Sequence, residues 1–312
     1  MDSRAGFVFL AAFSIAIARK DGFPHWGYKE SDYGPGDWGK VAPPCSGQLQ
    51  SPINIVSSLA EVNTTHNDLV VNFDNMDGAV TGYLINNGHA PKVVVDNNQG
   101  GATVTGGPLG QNMFILKQFH LHFGCNSSAG SEHTIDGKTF ASEMHLVFYN
   151  SVYKSFQVAS SKPDGLAVIG VFLQVDGGFS KWMEYIAVSL RNVKTANEMN
   201  YNLGDNIALS KLVPELASNN APYYAYKGSL TTLPCYESVQ WILMKTPISV
   251  TESQLEMMRL LTTPNGTPMC NNFRPVRPLN GRKLIQWSPK QAKLPGRLRL
   301  QGILLHHQEE IQ

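Results

Sequence analysis

Two histidines one residue apart, in Gln118-Phe119-His120-Leu121-His122, and a third closing Glu143-Met144-His145, are the residues of this 312-residue chain best suited to chemistry. In an extended strand, successive side chains alternate between faces. His120 and His122 therefore point one way, and Phe119, Leu121 and Phe123 the other. The run 141–149 also reads as a strand and puts Glu143 and His145 on a common face. Two adjacent strands would then bring three imidazoles to one point. Three neutral nitrogens with a fourth position left open is the pattern of a catalytic Zn2+ site rather than a closed structural one. Gln118 shares a face with His120, and Glu143 with His145. Metal-bound imidazoles usually donate their second N–H to such an oxygen, which makes Gln118 and Glu143 candidate supports.

The elements that must hold these residues are mostly strands. Strand-like runs occur at 69–73, 83–86, 92–95, 113–123, 141–149, 166–175 and 239–244, separated by turn signals such as 97–101 and 136–137. Helical patterns cover 180–190 and 252–261, the second opened by Thr251 as N-cap with Gln254 three residues on. The region 21–50 is rich in Gly, Pro, Trp and Tyr and reads as an aromatic arm over the surface. With 42% apolar and 16% charged residues the chain can bury a large core. No linker divides it, so one α+β domain on a large, mostly antiparallel sheet is expected. A net charge of +1 without like-charge blocks argues against nucleic acid as a partner.

Arg4 precedes the apolar run 6–18, and Ala16-Ile17-Ala18 has the small-x-small form of a cleavage site. Residues 1–18 are thus expected to be a signal peptide, too short for the roughly 20 residues a membrane span needs. No other stretch is long enough to span. The mature chain, from about Arg19, is expected to be secreted, extracellular and soluble. In an oxidising compartment Cys45, Cys125, Cys235 and Cys270 suggest disulfides, with all three connectivities open. Asn63, Asn126 and Asn265 open sequons and are glycosylation candidates. Extracellular-matrix association would be in keeping with secretion, although no acidic or Gly-Asn repeat marks it. Nothing in the sequence sets the oligomeric state.

Further motifs follow in a set order: Trp26-Gly27-Tyr28, Gln50-Ser51-Pro52-Ile53-Asn54-Ile55, Asn87-Gly88-His89, the two histidine strands, Gly130-Ser131-Glu132-His133-Thr134, Gly228-Ser229-Leu230-Thr231-Thr232 and Asn271-Asn272-Phe273-Arg274-Pro275. Together they resemble an α-class carbonic anhydrase of the secreted type over nearly the whole mature chain. The resemblance implies one catalytic domain, here 19–295, around a central, mostly antiparallel ten-stranded twisted sheet with surface helices, and a tail at 296–312. It implies a zinc lyase (carbonate dehydratase) that hydrates CO2 reversibly to bicarbonate and a proton by attack of a zinc-held hydroxide. Making water nucleophilic on zinc held by three histidines is chemistry for which carbonic anhydrases are the standard example.

The same resemblance assigns roles. His120, His122 and His145 would be the zinc ligands, with the Asn272 backbone supporting His122. Thr231 would orient the nucleophile and pass its own proton to Glu132, an ionised carboxylate that only accepts. His89 would shuttle protons, with Tyr28 and Asn87 ordering the intervening water. Val147, Val168, Leu230 and Trp241 would form the apolar substrate wall, with Thr232 and Gln118 on the polar side. His133 is expected to be a structural hydrogen-bonding residue rather than a fourth ligand. Cys45 and Cys235 match the disulfide pair of the family's secreted members, which would hold the loop carrying Thr231. Cys125 and Cys270 are extra. Each flanks a motif that supports the zinc, so they are expected to be close in space. A second disulfide requires their Cα atoms to lie within about 7 Å. Lys92 stands where some members carry an amide, a cation that would raise local bicarbonate or depress the pKa of His89. Phe123 and Phe273 replace commoner tryptophans. No HExxH motif is present, which argues against a peptidase. All three zinc histidines are kept, which argues against a zinc-free binding protein on the same fold.

Overall fold

The computed structural model describes residues 26–29, 33–63, 68–218 and 221–288. The expected signal peptide 1–18 and tail 296–312 lie outside them. Among the described residues, a thirteen-stranded sheet dominates and a two-stranded parallel pair, Asn54–Ile55 with Thr134–Ile135, stands beside it. Ten strands form one continuous path. In order they are Asn200–Ala208, Ala79–Asn86, Pro91–Val95, Phe114–Phe123, Ser142–Asn150, Leu166–Val175, Val239–Met244, Tyr223–Gly228, Ile285–Trp287 and Glu61–Asn63. Three more branch from it. Ile248–Val250 runs beside Leu166–Val175, and Val70–Phe73 joins through Ala102–Thr105 to Phe114–Phe123.

The expected ten strands form the main path and most pairings are antiparallel, as expected, but three further strands and three parallel pairings make the whole a thirteen-stranded mixed sheet among the described residues. Leu166–Val175 pairs in parallel with both Val239–Met244 and Ile248–Val250, and Ile285–Trp287 with Glu61–Asn63. Parallel neighbours need long crossovers rather than hairpins, so pairs of this kind leave no local turn signal.

The two histidine strands, Phe114–Phe123 and Ser142–Asn150, are adjacent and antiparallel, with His120 directly opposite His145 and His122 opposite Glu143. A bulge at Lys117 shifts the register between Leu116 and Gln118. Strict alternation would put Leu116 and Phe119 on opposite faces, whereas the extra residue re-phases the strand. Phe114, Leu116, Phe119, Leu121 and Phe123 consequently all enter the main apolar core, with Met144, Leu146 and Phe148 from the partner strand. Each such side chain contributes about 1.5–3 kcal/mol on burial. The opposite face is left to Gln118, His120, His122, Glu143 and His145.

Helices Lys181–Ser189 and Glu252–Arg259 cover the apolar core with Met183, Ile186, Leu255 and Met258. Ser180 caps the first by accepting from Met183 N, and Thr251 and Gln254 form a reciprocal capping box on the second. The aromatic arm is more than a surface wrapping. Trp26 and Trp38 are buried against Ala42, Cys45 and Cys235, and the arm contains the short helical turns Trp38–Val41 and Pro43–Ser46. Its apolar rings have enough area to seek a core of their own. No helix among the described residues is long and apolar enough to cross a membrane.

Candidate metal centre and cleft

His120, His122 and His145 converge as the alternation of the strands requires. Their ring centroids are 5.0, 5.2 and 4.6 Å apart, and the rings are mutually inclined by 73°, 88° and 54°. One nitrogen of each is held by an acceptor. His120 Nδ1 lies 2.9 Å from Gln118 Oε1, His122 Nδ1 2.6 Å from the Asn272 carbonyl, and His145 Nε2 2.7 Å from Glu143 Oε1. These oxygens only accept, so each held nitrogen carries the proton. The lone pairs left for a metal are Nε2 of His120, Nε2 of His122 and Nδ1 of His145. The three histidines offer nitrogens within 4.8 Å of one another.

Burial favours the neutral form of His120 and His122. It pushes His120 well below the ordinary imidazole range, with the like charges of His122, His145 and Lys92 adding to the effect. Burial also lowers His122, against the partial opposition of Glu132. His122 Nε2 and Glu132 Oε2 are buried polar atoms without a hydrogen-bond partner, and they lie 3.5 Å apart. Atoms of that kind are costly unless a ligand satisfies them. A dication taken by the three neutral nitrogens would satisfy His122 Nε2, and the all-imidazole set suits zinc.

Glu143 does more than hold His145. Its Oε1 also takes His133 Nδ1 at 2.7 Å, and its Oε2 accepts the backbone N–H groups of Glu132 and His133 at 2.9 and 2.8 Å. Burial alone would raise this carboxyl, but His133 and His145, by charge and hydrogen bond, outweigh it and hold it well below the usual carboxylate range. His133 Nε2 lies 2.6 Å from the Tyr226 hydroxyl, itself 2.8 Å from Ser51 Oγ. Both nitrogens of His133 are thus engaged, as expected of a structural residue. The alternative metal group His133, Glu143 and His145 is spent on its own hydrogen bonds. Gly170 faces His145 across the next strand, and a Cβ there would stand 2.5 Å from Leu243 and 3.1 Å from Glu143 Oε1. Tyr226, Ser51 and Gly170 were not singled out from the sequence for roles in the site. The Ser51 and Gly228-Ser229 motifs carried a hint of the network, whereas Gly170 sits unmarked in an apolar run.

A cleft of about 280 Å³ opens above the three histidines. Val147, Val168, Leu230 and Trp241 line one side, and Gln118, Thr231 and Thr232 also border it. Tyr28, Asn87 and His89 stand along the same cleft. His89 stacks on Trp26 with centroids 3.7 Å apart and planes 6° from parallel. Asn87 Oδ1 accepts from the backbone N–H of His89 and Ala90, and Asn272 Nδ2 donates to the His89 carbonyl.

One expected contact is not made. Glu132 Oε1 accepts from Arg274 N at 2.8 Å, but Oε2 faces the imidazoles rather than Thr231, 3.5 Å from His122 Nε2 and 3.8 Å from His145 Nδ1. Lys92 lines the cleft together with His89, and the strand register sets it opposite His120.

The sequence from 33 to 288 matches the family model described as eukaryotic-type carbonic anhydrase. The chain belongs to that family. Carbonic anhydrase 7 of Homo sapiens is 40% identical over 263 residues, which cover 82% of this chain and 95% of that protein. Carbonic anhydrase 7 of Mus musculus is 39% identical over the same shares.

Both cysteine pairs are bridged, Cys45 to Cys235 and Cys125 to Cys270, each with Cα atoms 4.8 Å apart. The first ties the arm to the loop after Thr231–Thr232. The second ties the end of the His120/His122 strand to the segment carrying Asn272, whose side chain also accepts from Phe123 N at 2.7 Å. Asn126 and Asn265 are exposed and Asn63 is half-buried.

Proposed function

We propose that the chain is a zinc-dependent carbonic anhydrase that catalyses CO2 + H2O ⇌ HCO3⁻ + H⁺. One observation carries the reading: three imidazoles, two buried and one half-buried, each fixed by an acceptor on one nitrogen, turn their other nitrogens toward one point on the floor of a half-apolar cleft. His120, His122 and His145 would hold the ion. When bound, zinc supplies a Lewis acid that makes water nucleophilic near neutral pH.

The protein's own groups do the rest. Val147, Val168, Leu230 and Trp241 give a small apolar substrate a dry surface. Glu132 Oε2 is a buried acceptor without a partner. In the working site the Thr231 hydroxyl would turn to donate its proton there, a contact the structure does not make, leaving its lone pairs to orient the attacking oxygen. His89, at the cleft wall with Tyr28 and Asn87, takes the released proton through water and delivers it to buffer. Two disulfides support a secreted protein from an oxidising compartment, with glycans on the exposed Asn126 and Asn265.

The test is zinc analysis of the purified protein together with stopped-flow CO2 hydration. One zinc per chain with hydration far above the buffer rate is expected. A fully zinc-loaded protein without hydration would overturn the reading.

A further inference from the structure

Lys92 is the one cation bordering the cleft among the described residues. Directly opposite His120 in the ladder, it leaves the sheet on the same face as the three histidines. It is half-buried, and it lines both the cleft and a shallow depression of about 840 Å³ at its mouth. Lysines withdrawn from water are normally paired. Among the described residues, no ion pair and no side-chain hydrogen bond reaches this one. The carboxylate that borders the depression, Glu198, is exposed and does not pair with it. Asn87, Asn197, Asn200 and Thr232 make up much of the remaining rim, neutral groups able to donate hydrogen bonds. A positive charge without a partner thus stands between the reaction site and solvent.

We propose that Lys92 and this rim form a subsite for a small monovalent anion, and that its ligand in the working enzyme is bicarbonate. The inference rests on the reading of the cleft as a CO2-hydrating site. Carbon dioxide carries no charge and passes the ammonium unaffected. Bicarbonate carries one and is attracted to it, leaving more slowly after hydration and concentrating for the reverse reaction. No bond forms or breaks at the subsite. For a charge partly screened by water, an effect of about three- to tenfold on bicarbonate affinity is expected.

The experiment compares full-length zinc-loaded wild type, Lys92→Gln and Lys92→Arg. Chloride is the probe of the subsite itself, read by the broadening of its NMR line. Bicarbonate is the probe of its use, read as the inhibition constant against CO2 hydration. Lys92→Gln should lose part of the chloride broadening and raise the bicarbonate constant about three- to tenfold, more at low ionic strength than at high. Lys92→Arg should restore both. Equal broadening in all three proteins overturns the subsite. A chloride difference with an unchanged bicarbonate constant overturns bicarbonate as its ligand. Should wild type show no CO2 hydration, the proposed function fails, while the chloride comparison still reads the subsite.

Discussion

The two histidine strands present opposite faces that are built by different rules. On one, Phe119, Leu121, Met144 and Leu146 meet only hydrocarbon, and any neighbour of similar size would serve. On the other, His120, His122, Glu143 and His145 are equally withdrawn from bulk solvent in the main, yet nearly every polar atom has a named partner. The exceptions, Nε2 of His120, Nε2 of His122 and Nδ1 of His145, converge where a metal would sit, with Glu132 Oε2 3.5 Å from His122 Nε2. The first face supplies stability, which is distributed over many contacts. The second supplies function, which is concentrated in a few atoms. The apolar face also keeps the strands rigid enough to hold three rings in register.

That contrast breaks most sharply at a ligand. His120→Ala should abolish zinc retention and cut CO2 hydration roughly 10³–10⁴-fold, with little loss of folding stability in the metal-free state. Zinc content together with a denaturant melt checks it, and undiminished zinc would remove His120 from the ligand set. Leu146→Ala, one residue from the ligand His145 but facing the other side, should show the reverse. It should cost about 2–5 kcal/mol of stability and leave one zinc per folded chain. Glu143→Gln sits between the two. It exchanges a carboxylate that accepts four N–H groups for a neutral amide, and should weaken zinc about 10–100-fold in a chelator competition. Unchanged affinity would show that the carboxylate does not brace the site. The smallest effect belongs to the rim. His89→Ala should slow turnover roughly tenfold in weak buffer, and added imidazole should restore part of the rate. Equal rates with and without imidazole would exclude His89 as the proton carrier.

The legible part of this site was the part with period two. His120, His122, Glu143 and His145 follow from alternation alone, and so do their apolar counterparts from Phe119 to Phe123. The strand bounds Leu166–Val175 and Val239–Met244 and the Thr251–Gln254 capping box were readable for the same local reason. Alternation does not foretell where it resets. The bulge at Lys117 puts Leu116 in the core by adding a residue that looks like any other lysine. Long-range pairing was equally silent. Asn200–Ala208 was not read as a strand, because its partner Ala79–Asn86 lies far away in sequence, and Tyr223–Gly228 was missed as well. Asn272, Glu132, Thr231 and His89 reach the site from separate loops and strand ends, and only the family resemblance named them. Even that resemblance implied a Thr231–Glu132 contact that the structure does not make. Gly170 went unnoticed because an absent side chain leaves no signal.

The central claim is that three uncharged imidazole nitrogens grip a zinc ion and leave one position free. X-ray absorption at the zinc edge of the protein as purified reads this directly. The account predicts one zinc per chain, with three nitrogen scatterers at about 2.0–2.1 Å and a single light atom completing the shell. A shell containing sulfur, a fourth protein nitrogen, or no bound zinc at all would contradict it.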